Sequence, residues 1–222
     1  TVRRHGARVR LKTGVKRDGT LVAREAEIYL DTGGYADNGP AVAIRAATRV
    51  LGPYKIPHIR SDAYAVYTNS GSAGSFRAIG APQTIFASES QMDIIADKLG
   101  IDPAEMRLKN LLKKGEEVRP KLRGIDADLA SSLKRLVRES EWKRRSKKKN
   151  AAIGLALGAT NAGATPVSVA MARMQSDGAV TILAGSTEMG QGVRTVLSQI
   201  AAEELGLPLE SVRISGADTM VT

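Results

Sequence analysis

The chain has 222 residues, 42% of them hydrophobic and only 4% aromatic, and carries a formal net charge of +10. This composition predicts one large or two small globular domains whose cores are built from small aliphatic side chains. The absence of cysteine excludes disulfides, thiolate metal sites, cysteine nucleophiles and iron–sulfur clusters held by this chain. His5 and His58 are the only histidines, and we expect neither to bind a metal.

The hydropathy of the chain predicts its location, and its two ends predict whether it is a complete protein. No apolar run approaches the roughly 20 residues that span a bilayer, and no signal peptide opens the sequence, so we expect a soluble cytoplasmic protein. Thr1 is not an initiator methionine, and Thr222 follows no closing helix or strand. We therefore expect an internal fragment of a longer polypeptide.

Positive charge is concentrated in residues 134–149, where nine lysines and arginines surround the single Trp142. An exposed helix end followed by a linker is the simplest interpretation. A docking surface for an acidic partner subunit is the alternative. A nucleic-acid-binding module is also conceivable from the net charge, but interleaved aromatics are scarce and no nucleic-acid motif is present.

Residues 1–112 predict a first lobe of mixed strands and helices. Alternating residues from Ala7 predict a strand, Asp18-Gly19 a hairpin turn, and residues 21–30 the returning strand. Pro82 suits the first turn of a helix that ends before Gly100. The other elements expected here are a helical or irregular segment at 41–51, a strand at 59–68, and a helix capped by Asp102.

Residues 113–150 predict a helix and a basic linker, and residues 151–222 predict a second lobe that repeats the first. Its expected elements are a strand at 167–174, a turn at Asp177-Gly178, a strand at 180–183, a helix at 193–205 and a strand at 212–215. The fold class is therefore expected to be α+β. We predict two related α/β lobes with mixed sheets rather than one doubly wound parallel sheet.

Two glycine-containing loops precede helices, and they are the candidate binding segments. We call residues 76–80, Phe-Arg-Ala-Ile-Gly, the first motif loop and residues 188–192, Glu-Met-Gly-Gln-Gly, the second motif loop. Each is expected to present backbone N–H groups at a helix N-terminus, which favours an anion or the polar edge of a cofactor. Tight turns that pack a helix on a sheet explain the same glycines, and neither loop fits a Walker A or GxGxxG pattern.

Both loops resemble motifs of the molybdenum-binding large subunit of the xanthine dehydrogenase and aldehyde oxidase family. Residues 76–83 resemble its FRGFGxPQ segment, and residues 188–192 resemble its EMGQG segment. Further similar stretches occur in the family's order along nearly the whole chain. They are Thr32-Gly33-Gly34-Tyr35, Gly52-Pro53-Tyr54-Lys55-Ile56-Pro57, Glu89-Ser90-Gln91-Met92-Asp93 and residues 199–206.

The resemblance implies a molybdopterin cofactor with molybdenum, usually as the cytosine dinucleotide in bacteria, and oxidative hydroxylation of an aldehyde or N-heterocycle. It implies iron–sulfur and FAD subunits as partners in a hydroxylase complex, and a possible homodimer of that complex. It implies binding to neither nucleic acid nor a membrane. It also implies substrate contacts by Ile79 and by Arg45, although the residues flanking Arg45 match the family poorly and an ordinary surface arginine is the alternative. The residues that it implies bind the cofactor are Phe76, Arg77, Ala78, Gly190, Gln191 and Gly192.

Departures from the family pattern limit the substrate prediction. Ile79 stands where purine-oxidising members have a phenylalanine that stacks on the substrate, and Ala78 stands where copper-containing carbon monoxide dehydrogenases have a cysteine. The family's upstream cofactor loop and its C-terminal glutamate base have no counterpart here, and Glu188 is interpreted as structural. We expect the fragment to be inactive alone, with a non-catalytic scaffold as the alternative.

Overall fold

In the computed structural model, the described residues are 3–119, 124–144, 150, 152–159 and 169–216. The chain divides into two compact units, Thr1–Thr160 and Asn161–Thr222. Within the described ranges, no helix is long and apolar enough to cross a membrane.

The first unit contains a three-stranded mixed sheet with the order β1-β2-β3. β1 (Gly6–Val15) pairs antiparallel with β2 (Leu21–Gly33), and β2 pairs parallel with β3 (His58–Tyr67). The predicted hairpin turn is confirmed: Gly19 has φ 86°, and the N–H of Lys16 donates to the carbonyl of Thr20 at 2.9 Å. From Arg24 onward, every second residue of β2 is buried, so one face of the strand packs into the hydrophobic core.

Helix α1 (Gly39–Arg49) connects β2 to β3. Parallel neighbours need such a crossover, because the chain must return to the starting end of the sheet before the next strand begins. The segment for which the sequence predicts helical or irregular structure is therefore a helix. Its buried residues form one core with the central strand, composed of Ala26, Ile28, Leu30, Val42, Ala43, Ala46, Val50 and Leu51.

A second core lies among three further α-helices of this unit, α2 (Ala81–Leu99), α3 (Pro103–Asn110) and α4 (Leu129–Glu139). A short 3-10 helix, Trp142–Arg144, follows α4. Met92, Met106 and Leu133 are among its buried residues, and Leu157 packs against it. Both α4 and part of the segment after it thus contribute to the first unit. The division of domains at residues 112 and 150 stays a prediction, since packing alone does not assign a domain boundary.

The side chain of Glu89 links the parts of this second core. Its carboxylate accepts hydrogen bonds from the Tyr54 hydroxyl at 2.6 Å, from Nε of Arg107 at 2.8 Å and from the N–H of Leu157 at 2.8 Å. Arg107 is fully buried, and a buried guanidinium needs a partner of opposite charge. Glu89 therefore holds α2, α3 and the segment after α4 together.

The second unit has the same strand arrangement. β4 (Ala170–Met174) pairs antiparallel with β5 (Val180–Ala184), and β5 pairs parallel with β6 (Val212–Gly216). Helix α5 (Val193–Leu205) connects β5 to β6. The prediction of two related lobes with mixed sheets is confirmed, while residues 167 and 168, expected to begin the first of these strands, lie outside the described residues.

The shared topology also shows which loops correspond. In both units a hairpin is followed by a crossover helix and a parallel strand, so α5 corresponds to α1 rather than to α2. The second motif loop precedes α5, whereas the first motif loop follows β3 and precedes α2. The two motif loops therefore occupy different positions in their respective lobes.

Candidate functional site

The first motif loop has an unusual backbone. Ala78, Ile79 and Gly80 have consecutive positive φ angles of 71°, 24° and 76°. The N–H of Ile79 donates to the carbonyl of Phe76 at 2.8 Å, and the N–H of Ala81 donates to that of Ala78 at 2.9 Å. Because L-residues other than glycine rarely adopt positive φ, this turn is strained at two successive positions.

The loop lies directly on helix α1. A Cβ atom added to Gly80 would come within 2.9 Å of the carbonyl oxygen of Val42 and 3.1 Å of the backbone nitrogen of Ala46. Both its positive φ and this close approach therefore require glycine. The preceding Phe76, Arg77 and Ala78 are exposed, so a ligand can reach them from solvent.

Two arginines from elsewhere in the chain hold the loop. The guanidinium of Arg4 lies 4.6 Å from the centre of the Phe76 ring, and its Nη2 donates to the carbonyl of Arg77 at 3.1 Å. Nη1 of Arg49 donates to the carbonyls of Ala78 and Ile79. Sequence reasoning missed both arginines, because a chain with 33 lysines and arginines offers no local signal for two of them.

The two predicted substrate residues also lie in the first unit. Arg45 is exposed on α1, one turn before Arg49. Burial and then the positive charge of Arg45 lower the pKa of Arg49. Ile79 is half-buried and packs against the core that α1 forms with the sheet. The structure thus brings both residues to the same helix, and their contact with a substrate stays a prediction.

The second motif loop is organised by its own carboxylate. Glu188 accepts hydrogen bonds from the N–H groups of Gly190 at 2.8 Å and Gly192 at 3.0 Å, and these two glycines have φ angles of 89° and 75°. The bonds from Gly192, then Gly190, Arg194 and Val193, hold the pKa of the Glu188 carboxyl below its usual value. Glu188 therefore acts as a structural cap.

This cap already pairs two N–H groups of the loop, those of Gly190 and Gly192, with a carboxylate, and binding of an external anion or cofactor edge here stays a prediction. Glu188 already supplies a negative charge to the N-terminus of α5, where unpaired amides and the helix dipole favour one. A cofactor phosphate would have to compete with a tethered carboxylate for these amides. The loop is thus better suited to contacts through its side chains and exposed glycine backbone.

Gln191 is the exposed side chain of this loop with both donor and acceptor groups. Its Nε2 donates to the carbonyl of Thr187 at 2.8 Å, and its Oε1 accepts from the N–H of Met189 at 2.7 Å. An amide has a second N–H and a second lone pair, so one donor and one acceptor position stay available on a side chain that is already oriented. That pattern fits the edge of a fused polar heterocycle such as a pterin.

The histidines and acidic residues do not form a metal centre in the part of the chain that the structure describes. No group of three or more histidine, cysteine, aspartate or glutamate residues is arranged to hold an ion there. His5 is buried at 3% exposure, whereas His58 is exposed.

Comparisons with known proteins identify the family to which the chain belongs. Residues 1–111 match the molybdopterin cofactor-binding domain family, and residues 128–222 match a second family of the same description. A probable xanthine dehydrogenase subunit of Bacillus subtilis is 34% identical over 98% of the chain, which spans 30% of that protein. A putative xanthine dehydrogenase molybdenum-binding subunit of Escherichia coli is 37% identical over 99% of the chain, which spans 31% of it.

Solved structures share the fold. The aldehyde oxidoreductase of Desulfovibrio desulfuricans superposes with a TM-score of 0.79 at 28% identity, and the match covers 100% of this chain and 26% of that one. The chain thus spans between about a quarter and a third of the length of these relatives.

Proposed function

Because the chain belongs to the molybdopterin cofactor-binding domain family, we propose that it supplies two of the loops that hold the molybdenum cofactor in the large subunit of a molybdenum hydroxylase. The observation that carries this proposal is the pair of exposed motif loops, each held in shape by the chain's own charged side chains. When bound, the cofactor supplies the redox chemistry for oxidative hydroxylation of an aldehyde or N-heterocycle.

The residues proposed to hold the cofactor divide between backbone and side-chain contacts. Phe76, Arg77 and Ala78 offer an exposed main chain in the first motif loop, with the Arg77 guanidinium as a positively charged group beside it. Gly190 and Gly192 allow close approach to the second motif loop, and Gln191 supplies the free donor and acceptor positions. Arg45 and Ile79 are proposed to contact the substrate.

The finer features of the proposal concern the form of the cofactor and the partners. We propose the cytosine dinucleotide form, because two similar xanthine dehydrogenase subunits, at 34% and 37% identity, are bacterial. Iron–sulfur and FAD subunits are the proposed partners, since electrons taken from the substrate must leave the molybdenum centre. A homodimer of the complex and a cytoplasmic location stay predictions.

The test uses the polypeptide encoded by the complete reading frame that contains this chain, purified from its native host grown with molybdate. We expect about one molybdenum atom per large subunit by mass spectrometry, and release of cytidine monophosphate on acid hydrolysis. Dye-coupled oxidation of xanthine and of aromatic aldehydes would then identify the substrate class. Molybdenum-free protein from molybdate-replete cells would contradict the proposal and favour a non-catalytic scaffold.

A matched pair of variants tests the role of Gln191. Gln191→Ala removes the amide from the second motif loop and is expected to weaken cofactor binding by about tenfold, the contribution of one hydrogen bond, and so to lower the molybdenum content of the purified subunit. Gln199→Ala removes an exposed amide from α5 outside the loop and should leave the content unchanged. Equal molybdenum contents in the two variants would count against a cofactor contact by Gln191.

A further inference from the structure

The strain in the first motif loop requires a compensating interaction. A left-handed conformation costs an L-residue about 1–2 kcal/mol, and a β-branched side chain at positive φ is rarer still. Ala78 and Ile79 nevertheless both have positive φ. Such a backbone persists only where surrounding contacts hold it.

Arg49 makes those contacts. It is the last residue of α1, and its Nη1 donates to the carbonyl oxygen of Ala78 at 3.2 Å and to that of Ile79 at 2.6 Å. One guanidinium nitrogen therefore binds the carbonyl groups of both strained residues. Gly80 lies against the backbone of the same helix, so the anchored carbonyls and the packed glycine place the loop on one rigid element.

We propose that Arg49 is a positioning residue that holds the first motif loop in its left-handed turn. A hydrogen bond from a charged donor is stronger than a neutral one, and two of them converge where the backbone is least favourable. Arg49 contacts the α1 side of the loop and leaves Phe76, Arg77 and Ala78 exposed. The importance of this geometry for a cofactor rests on the proposed function, but the geometry itself does not.

The residue type matters for this role. Arginine presents several N–H groups in a planar fork and keeps its charge when partly buried, whereas lysine places a compact ammonium on a flexible four-carbon stem. A lysine at position 49 would keep the charge and lose the planar fork. We therefore expect Arg49→Lys to hold the turn only partly.

The experiment measures backbone hydrogen exchange by NMR in the 222-residue chain, without cofactor. The reporters are the N–H groups of Ile79 and Ala81, which close the turn by donating to the carbonyls of Phe76 and Ala78. Arg49→Met keeps an unbranched side chain without hydrogen-bond donors and should lower protection at both reporters about tenfold. Arg45→Met makes the same change one turn earlier on α1, at a side chain that shows no hydrogen bond to the loop among the described residues, and should leave both reporters unchanged.

A second substitution tests whether relief of strain is the cause. Glycine adopts positive φ without a Cβ clash, so adding Ala78→Gly to Arg49→Met should restore protection at Ala81. The N–H of Val50, which donates to the carbonyl of Ala46, reports whether α1 stays intact in every variant. If Arg49→Met unfolds the unit, Arg49→Lys replaces it, with an intermediate loss expected.

Three results would overturn the proposal. They are wild-type protection at both reporters in Arg49→Met, an equal loss in Arg45→Met, and no recovery with glycine at position 78 while the Val50 reporter stays protected. The measurement involves no cofactor, so an absence of molybdenum from the parent protein would not change its outcome. Failure of the proposed function and failure of this inference are thus distinguishable.

Discussion

Replacing Ala78 with glycine is expected to stabilise the first unit. Ala78 has φ 71°, a conformation that costs a non-glycine residue about 1–2 kcal/mol. Glycine removes that cost, but its greater freedom in the unfolded chain returns about 0.4–1 kcal/mol. The net gain in the free energy of unfolding therefore lies between about 0 and 1.6 kcal/mol, with a central value of about 0.8 kcal/mol, an uncommon result for a substitution that deletes a methyl group.

Urea unfolding followed by tryptophan fluorescence provides the assay. Trp142 is the only tryptophan of the chain, it is 5% exposed, and it belongs to the first unit. Its emission therefore reports this unit. With a denaturant slope of about 2 kcal/mol per molar urea, the central value of this gain corresponds to a rise of the unfolding midpoint by about 0.4 M. The slope itself should stay constant.

Ala87→Gly is the matched control, because the same chemical change occurs in the interior of α2. There glycine is expected to destabilise the unit by about 1 kcal/mol through its low helix propensity. The two variants should thus shift the midpoint in opposite directions. If Ala78→Gly is as destabilising as Ala87→Gly, the strain assigned to the first motif loop does not exist.

Two further predictions concern buried polar groups of the first unit. Arg107 pairs with two carboxylates, the buried Glu89 at 2.8 Å from Nε and the 50% exposed Asp93 at 2.7 Å from Nη1. Glu89→Gln removes the buried negative charge and should cost up to about 3 kcal/mol in the urea assay, since Asp93 still pairs with the guanidinium. Asp93→Asn should cost less than about 1 kcal/mol; similar losses would refute a central role for Glu89. Burial, and then the charge of Arg3, lowers the pKa of His5 from its ordinary value of 6.5. Just below pH 6.5, the folded state therefore binds fewer protons than the unfolded state. Stability should fall as the pH drops through that window, and His5→Gln should reduce the fall between about pH 7.5 and 5.5; an unchanged pH dependence would show that this histidine does not contribute.

Local sequence patterns are sufficient to predict most elements. The Asp18-Gly19 and Asp177-Gly178 turns and the helix that ends at Gly100 follow from rules that involve only neighbouring residues. The sequence predicts β2 only as far as residue 30, whereas residues 31–33 are held in the strand by a distant partner: the N–H of Thr68 donates to the carbonyl of Gly33 at 3.0 Å. Pairing between strands depends on contacts that no local window contains.

For the two motif loops, too, the local sequence predicts some features, and contacts with distant residues determine others. Their residue types identify the family, and their glycines indicate where a ligand can approach the main chain. The sequence predicts that Glu188 has a structural role, because the residue lies within four positions of the glycines that it binds. It does not predict that the carboxylate accepts hydrogen bonds from the N–H groups of Gly190 and Gly192, just before α5.

The sequence by itself determined the order of the elements, the positions of the turns and the identity of the loops, because those features depend on backbone conformational preferences and on the periodicity of apolar residues. Only the tertiary structure decided which charged side chains hold the first motif loop. Arg49 is 30 residues from the Ile79 carbonyl that it binds, and Arg4 is 73 residues from the Arg77 carbonyl. Each reaches the loop only because the sheet and α1 bring distant parts of the chain together.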